Sequence, residues 1–201
     1  MEYLSLENDL AMLNTRKFLI QFNHLVLPLV LLFNCNGSYQ IHGASKSEKK
    51  CVELGPGEKG FIQLVNYDEP GEPLIIYGKI RDRKTNQAIN GVSVFLYQTD
   101  SRGIYSSSGR DEDARIRGTV YNNETGCFKI KTILPGDYPG QKNSRHLHYV
   151  LNAKGHPQKK SILFFKRFTT ENITGQGAFV LLDIHKDSTG TWIGSTDFYL
   201  Q

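Results

Sequence analysis

Cysteine, methionine and tryptophan are scarce, at three, two and one among 201 residues. Three cysteines cannot build the disulfide framework of a small secreted domain, and a chain of this length can bury a core of its own. The length suits one domain with extensions. Uninterrupted apolar runs are short, and none reaches the ~20 residues of a membrane-spanning helix. Basic residues are scattered, and no basic run is interleaved with aromatics. The formal net charge of +4 therefore marks a solvated surface and no nucleic-acid partner. Past residue 58 no segment keeps a long helical apolar period, which argues against a helical bundle. No nucleophile-elbow pattern surrounds Ser106-Ser107-Ser108-Gly109. Asp111-Glu112-Asp113 reads as a loop of solvated charge, because adjacent carboxylates rarely converge on one acid/base site.

Three segments can be told apart. Residues 1–35 read as a signal peptide or lipoprotein signal, with Met12 as an alternative start. Arg16-Lys17 is its basic beginning, and Leu25 to Phe33, interrupted by Pro28, is its short apolar core. Leu31-Leu32-Phe33-Asn34-Cys35 resembles a bacterial lipoprotein processing site, with Asn34 in place of the usual small residue. Either Cys35 is lipidated and attaches the protein to a membrane, or the chain is simply secreted. Both readings put the mature protein outside the cytoplasm, in a periplasm, on a membrane or beyond the cell. Residues 36–58, with Gly, Ser and a lysine cluster, read as a flexible tether. Cys51 and Cys127 can pair in an oxidising compartment, and Cys127 can equally be a buried thiol.

Residues 59–201 read as short strands separated by turns. The strands are Leu74–Arg81, Val92–Gln98, Gly118–Tyr121, Cys127–Ile133, His146–Ala153, Ser161–Phe164, Phe179–Ile184 and Thr191–Tyr199. Asn90-Gly91, Arg102-Gly103, Thr125-Gly126, Pro135-Gly136, Lys154-Gly155 and Thr189-Gly190 separate them. That spacing predicts an all-β sandwich or barrel. Leu74 to Asp82, the turn at Asn90-Gly91 and Val92 to Tyr97 form a unit with which many prealbumin-like sandwiches open. The expected fold is therefore a prealbumin-like β-sandwich of mostly antiparallel strands.

The chemistry concentrates at Arg145-His146-Leu147-His148. Residues at i and i+2 of a strand share a face, so His146 and His148 can offer two imidazoles to one metal ion while Leu147 turns to the core. Tyr138, on a Pro/Gly turn just upstream, and Tyr105, on another turn, can add two phenols. Phenolates are hard anionic donors, and such a set suits ferric iron better than zinc or copper(I). Tyr121, Tyr149 and Tyr199 are assigned to ordinary packing, and His42, His156 and His185 to exposed surface.

An ordered series of motifs runs through Gly78-Lys79-Ile80-Arg81-Asp82, Gly91-Val92-Ser93-Val94, Gln98-Thr99-Asp100, Gly103-Ile104-Tyr105, Arg117-Gly118, Gly126-Cys127-Phe128, Thr132-Ile133-Leu134-Pro135, Tyr138-Pro139 and His146-Leu147-His148. In this the chain resembles the intradiol ring-cleavage dioxygenases, the catechol and protocatechuate dioxygenases, over roughly Pro73 to Phe165. The resemblance implies a mononuclear non-haem Fe(III) site acting on a small aromatic diol and O2. Tyr105 is similar to the tyrosinate that stays bound, and Tyr138 to the one that leaves and helps to deprotonate the diol. His146 and His148 match the two histidine ligands. Asn143 stands where the family's arginine is usual, Ile162 where a glutamine is usual, and Tyr97 where a Trp precedes Gln98. Strand parity turns Arg145 away from the histidines, unless a kink in the loop brings it round to replace the missing arginine. Catechol dioxygenases also have a helical N-terminal domain with no counterpart in this sequence. A sandwich that keeps a metal or ligand pocket without turnover is the rival reading, and a zinc hydrolase built on His146 and His148 is a third.

Overall fold

The computed structural model describes residues 50–169 and 178–201. The predicted signal segment and most of the predicted tether lie outside the described residues, as does His42. The elements are β1 (Phe61–Gln63), β2 (Pro73–Asp82), β3 (Ser93–Gln98), a 3-10 turn (Asp111–Asp113), β4 (Ile116–Tyr121), β5 (Cys127–Ile133), β6 (Ser144–Asn152), β7 (Lys159–Thr169), β8 (Phe179–Leu182), β9 (His185–Lys186), β10 (Trp192–Ser195) and β11 (Phe198–Leu200). They form two facing sheets, ordered β1-β5-β2-β10-β9 with β11 also on β2, and β4-β3-β6-β7-β8. The long ladders, β2 on β5, β3 on β4 and β6, and β6 on β7, are antiparallel. The parallel pairs are shorter additions: β1 on β5, β10 and β11 on β2, and β8 on β7.

Alternation decides which side chains make the core. On β3, Val94 and Leu96 point inward between the outward Ser93, Phe95 and Tyr97. On β6, Leu147, Tyr149 and Leu151 point inward, so His146, His148 and Val150 share the opposite face. Tyr149 and Phe128 stack on either side of Phe198, with ring centroids 4.2 and 4.8 Å away. That stack joins the two sheets through the middle of the core.

Several elements differ from the reading of the sequence, each for a local reason. The expected strand Thr191–Tyr199 is two strands. Thr196 and Asp197 press against Gly78, where an added Cβ would lie 1.8 Å from the Thr196 carbonyl. The Asp197 carboxylate accepts from the Lys79 amide at 2.8 Å and pairs with Arg81. β1 spans three residues, too few for alternation to show. The end of the predicted tether is packed: Cys51 and Leu54 are buried, and the Lys129 ammonium donates to the Val52 and Leu54 carbonyls. Cys51 is disulfide-bonded to Cys127, 76 residues along the chain. Tyr149 is core as expected, but Tyr121 is 59 % exposed. His185 is exposed, and His156 is half-buried and bonded to the Gln201 carbonyl.

The bridge ties the segment before β1 to the middle of the first sheet. A bridge closing so long a loop contributes roughly 2–5 kcal/mol. Cys51→Ser is expected to lower the unfolding free energy by that amount in a denaturant titration. An unchanged midpoint would contradict it.

Candidate metal centre

β6 delivers two imidazoles from one face because Leu147, fully buried, fixes the strand's parity between them. Tyr97 pairs with His148 across β3, and the two rings stack at 4.6 Å, 4° from parallel. Phe164 of β7 sits against His146 at 5.4 Å.

Two turns supply the phenols. At the end of β3, Gln98 Nε2 donates to the Ile133 carbonyl at 2.9 Å, and Thr132 Oγ1 donates to Gln98 Oε1 at 3.0 Å. This crosslink brings the end of β3 to the end of β5. Asp100 then closes the Tyr105 turn, its carboxylate accepting from the Arg102 and Ile104 amides at 2.9 and 3.0 Å and from the Arg102 guanidinium. The Tyr138 turn lies directly on it. The Gly136 amide donates to the Asp100 carbonyl at 2.8 Å. Gly103 has φ +83°, and a Cβ there would stand 1.8 Å from the Asp137 carbonyl. Only glycine meets both demands, positive φ and backbone contact. The Tyr138 amide is held by Ser144 Oγ at 2.9 Å, and Asp137 accepts from the Ser144 amide at 2.7 Å.

Tyr105, Tyr138, His146 and His148 meet. Tyr105 Oη lies 2.7 Å from Tyr138 Oη, 3.4 Å from His146 Nε2 and 3.1 Å from His148 Nε2. His146 Nε2 lies 3.0 Å from both Tyr138 Oη and His148 Nε2. Donors about 2.0–2.1 Å from one metal lie roughly 2.8–3.4 Å apart, so the cluster has the spacing of a coordination shell. His146 Nδ1 donates to the Ser144 carbonyl at 2.5 Å. A carbonyl only accepts, so Nε2 keeps its lone pair for the cluster. At most three protons then serve five close contacts, a deficit that a bound cation would make good.

Burial pushes the Tyr105 and Tyr138 phenols up and the two imidazoles down, His148 to about 4. The imidazoles are therefore neutral donors, and a bound cation is what would ionise the phenols. No group of three or more His, Cys, Asp or Glu that could hold a metal occurs among the described residues. The zinc reading therefore lacks a further ligand of the usual kind. The donors fit a hard cation such as ferric iron. Tyr105, Tyr138 and His148 open onto a cleft of about 650 Å³ whose other wall includes Arg110, Asp111 and Glu112.

The model of the dioxygenase family (Dioxygenase_C) matches residues 48–176. The chain belongs to the intradiol ring-cleavage dioxygenase family. Catechol 1,2-dioxygenase from Acinetobacter baylyi is 25% identical over 125 residues, 52% of this chain and 40% of the relative. The 6-chlorohydroxyquinol 1,2-dioxygenase of Cupriavidus pinatubonensis is 25% identical over 150 residues, covering 65% and 54%. The chain thus spans about half the length of the curated relatives it matches. Among solved structures, the dioxygenase domain of a dioxygenase–carbohydrate-binding fusion from Streptomyces sp. SirexAA-E is 27% identical. It has a TM-score of 0.58, over 74% of this chain and 92% of that one. The 3-chlorocatechol 1,2-dioxygenase of Rhodococcus opacus shares the fold at 23% identity and a TM-score of 0.59, over 73% and 68%.

The departures from the intradiol dioxygenase pattern have structural counterparts. Asn143 has φ +59°, a region Asn tolerates better than Arg. The β6–β7 register shifts between Ser144 and His146. Arg145 pairs with Asp137 at 3.3 Å and lies over the Phe168 ring, off the cleft wall. Ile162 pairs with His148 across β7 and lines a second hollow of about 350 Å³ beside Tyr97. Asp100, Asp137, Ser144, Arg110 and the cleft-facing role of Asp111 were not found from sequence. Their partners are distant or depend on a turn's exact course, and only the Gln98-Thr99-Asp100 motif pointed at one of them.

Asp100 offers a test of the turn. Burial pushes its carboxyl up, but the Arg102 guanidinium and the Ile104 and Arg102 amides outweigh it, and the net shift is downward. A lowered folded pKa contributes stability above the unfolded value of about 3.9, lost as pH falls through and below it. Asp100→Asn is expected to cost about 1–3 kcal/mol at neutral pH, with the difference from wild type shrinking in acid below about pH 4. A pH-independent difference in denaturation would contradict this role.

Proposed function

We propose that this chain is a non-haem Fe(III) intradiol dioxygenase that cleaves the ring of a catechol-like aromatic with O2. The observation that supports it most is the convergence of Tyr105, Tyr138, His146 and His148 at an open cleft, five of their six donor-atom pairs lying 2.7–3.4 Å apart. Those four residues would hold the iron. Bound there, a ferric ion would supply the Lewis acidity and redox chemistry that make a catechol ring reactive toward O2.

The protein's own contributions follow from burial and tethering. Tyr105 is 7% exposed and set in the turn locked by Asp100, so it remains in place. Tyr138 is half-buried, borders the cleft and is carried on a turn held by the Asp137 and Ser144 hydrogen bonds. Its phenolate is the group that takes a proton from an incoming catechol hydroxyl. His146 is oriented by its bond to the Ser144 carbonyl and His148 by its stack on Tyr97, so each presents Nε2. The same proposal puts the domain outside the cytoplasm, on a membrane through Cys35 or secreted. The Cys51–Cys127 bridge supports an oxidising compartment.

Iron-loaded protein is expected to show a visible tyrosinate-to-iron band and catechol-dependent O2 uptake. Tyr105→Phe should lose iron and most of the colour. Tyr138→Phe should keep more of both and slow turnover by about 10²-fold or more, the scale of a lost proton acceptor. Arg145→Ala should change turnover less than threefold with iron retained, about one half-unit of log rate, since Arg145 faces Asp137 and Phe168. Wild-type and Tyr105→Phe proteins with equal iron and identical spectra would refute the assignment.

A further inference from the structure

The turn Gly109–Glu112 lines the cleft together with Tyr105, Tyr138 and His148. Its course is set by the Ser108 hydroxyl on Asp113 at 2.9 Å and by the Arg117 guanidinium on the Glu112 carbonyl at 3.0 Å. Arg110 is the cation among the cleft-lining residues, and it is already engaged, by Asp113 at 3.1 Å and Glu112 at 3.8 Å. Arg117, bonded to the Glu112 carbonyl, is not among the cleft-lining residues, and three other neighbouring arginines are ion-paired. Arg102 pairs with Asp100, Arg115 with Glu69 and Arg145 with Asp137.

Asp111 is different. No ion pair engages it among the described residues. Its carboxylate accepts the Tyr97 hydroxyl at 3.4 Å, and Tyr97 is the ring stacked on His148. The charged residues lining the cleft are Arg110, Asp111 and Glu112, one cation against two carboxylates, so the net charge facing the cleft is negative.

We infer that the Asp111 wall selects among catechols by the charge of the ring substituent, favouring an ammonium-bearing side chain and disfavouring a carboxylate-bearing one. This rests on the dioxygenase reading of the cleft. A carboxylate substituent entering beside Asp111 meets like charge, and the cleft-lining arginine, Arg110, is already engaged by Asp113 and Glu112. An ammonium placed there gains an ion pair and three donors for the carboxylate oxygens. Asp111 and Glu112 are exposed, so the effect is that of a solvated pair, about three- to fivefold in affinity, and salt weakens it.

The test is an anaerobic absorption titration of the iron-loaded full chain with three catechols of matched shape. One carries an aminoethyl group para to a hydroxyl, one an ethyl group and one a carboxyethyl group. The aminoethyl compound is expected to bind about threefold or more tighter than the carboxyethyl one, with the ethyl compound between. Asp111→Asn should bring the three together, and so should high salt. Equal or reversed affinities in wild type, or an order that survives Asp111→Asn, would overturn the inference. Ring cleavage absent in air while the binding order holds would refute the proposed turnover and leave this inference standing. Protein that binds none of the catechols would refute both.

Discussion

One residue's burial sets the geometry of everything around it. Leu147 is fully enclosed between the sheets, and a strand cannot turn one side chain inward without turning its neighbours outward. His146 and His148 are therefore on one face by constraint of the backbone. A slip of one residue in β6 would put both imidazoles in the core and Leu147 in the cleft. The ladders to β3 and β7 oppose that slip from both sides, and the Tyr149 stack on Phe198 adds an anchor one residue on.

The phenols need a second constraint, because they arrive on turns. The turns meet backbone to backbone, with Gly103 against Asp137 and Gly136 against Ser101. Asp100 binds the first turn through its carboxylate and the second through its carbonyl. Gln98 and Thr132 fasten the strand ends from which both turns emerge. The cluster is thus held by hydrogen bonds among residues 98–144, with the donor atoms as the last link in that chain. Burial favours protonated phenols and neutral imidazoles, and a cation at the centre would reverse the balance for the phenols.

Local patterns were legible in the sequence to the degree that they were local. β5 was bounded to the residue and β2 and β3 nearly so, because each carries a run of β-branched and aromatic residues bounded by turn residues. The histidine pair was legible from parity, and the two tyrosines from the order of motifs. What escaped depends on distance. Nothing near Thr196 announces that Gly78 will lie against it and split the last strand. The pairing of Cys51 with Cys127 was one of two readings of those cysteines, and what the sequence did not show is that it packs the end of the tether against the sheet. Asp111 was read as solvated charge, which its exposure supports, yet the turn that carries it also forms a wall of the cleft. Arg145 followed strand parity, but its partners, Asp137 and Phe168, come from elements no pattern linked to it.

The central claim is that four side chains from two turns and one strand make a single iron site. A crystal structure of the iron-loaded protein with anomalous difference density at the iron edge tests it most directly. The account predicts one strong peak within about 2.3 Å of Tyr105 Oη, His146 Nε2 and His148 Nε2, with Tyr138 Oη beside it. Iron bound elsewhere on the chain, or a peak that leaves Tyr105 unligated, would contradict it.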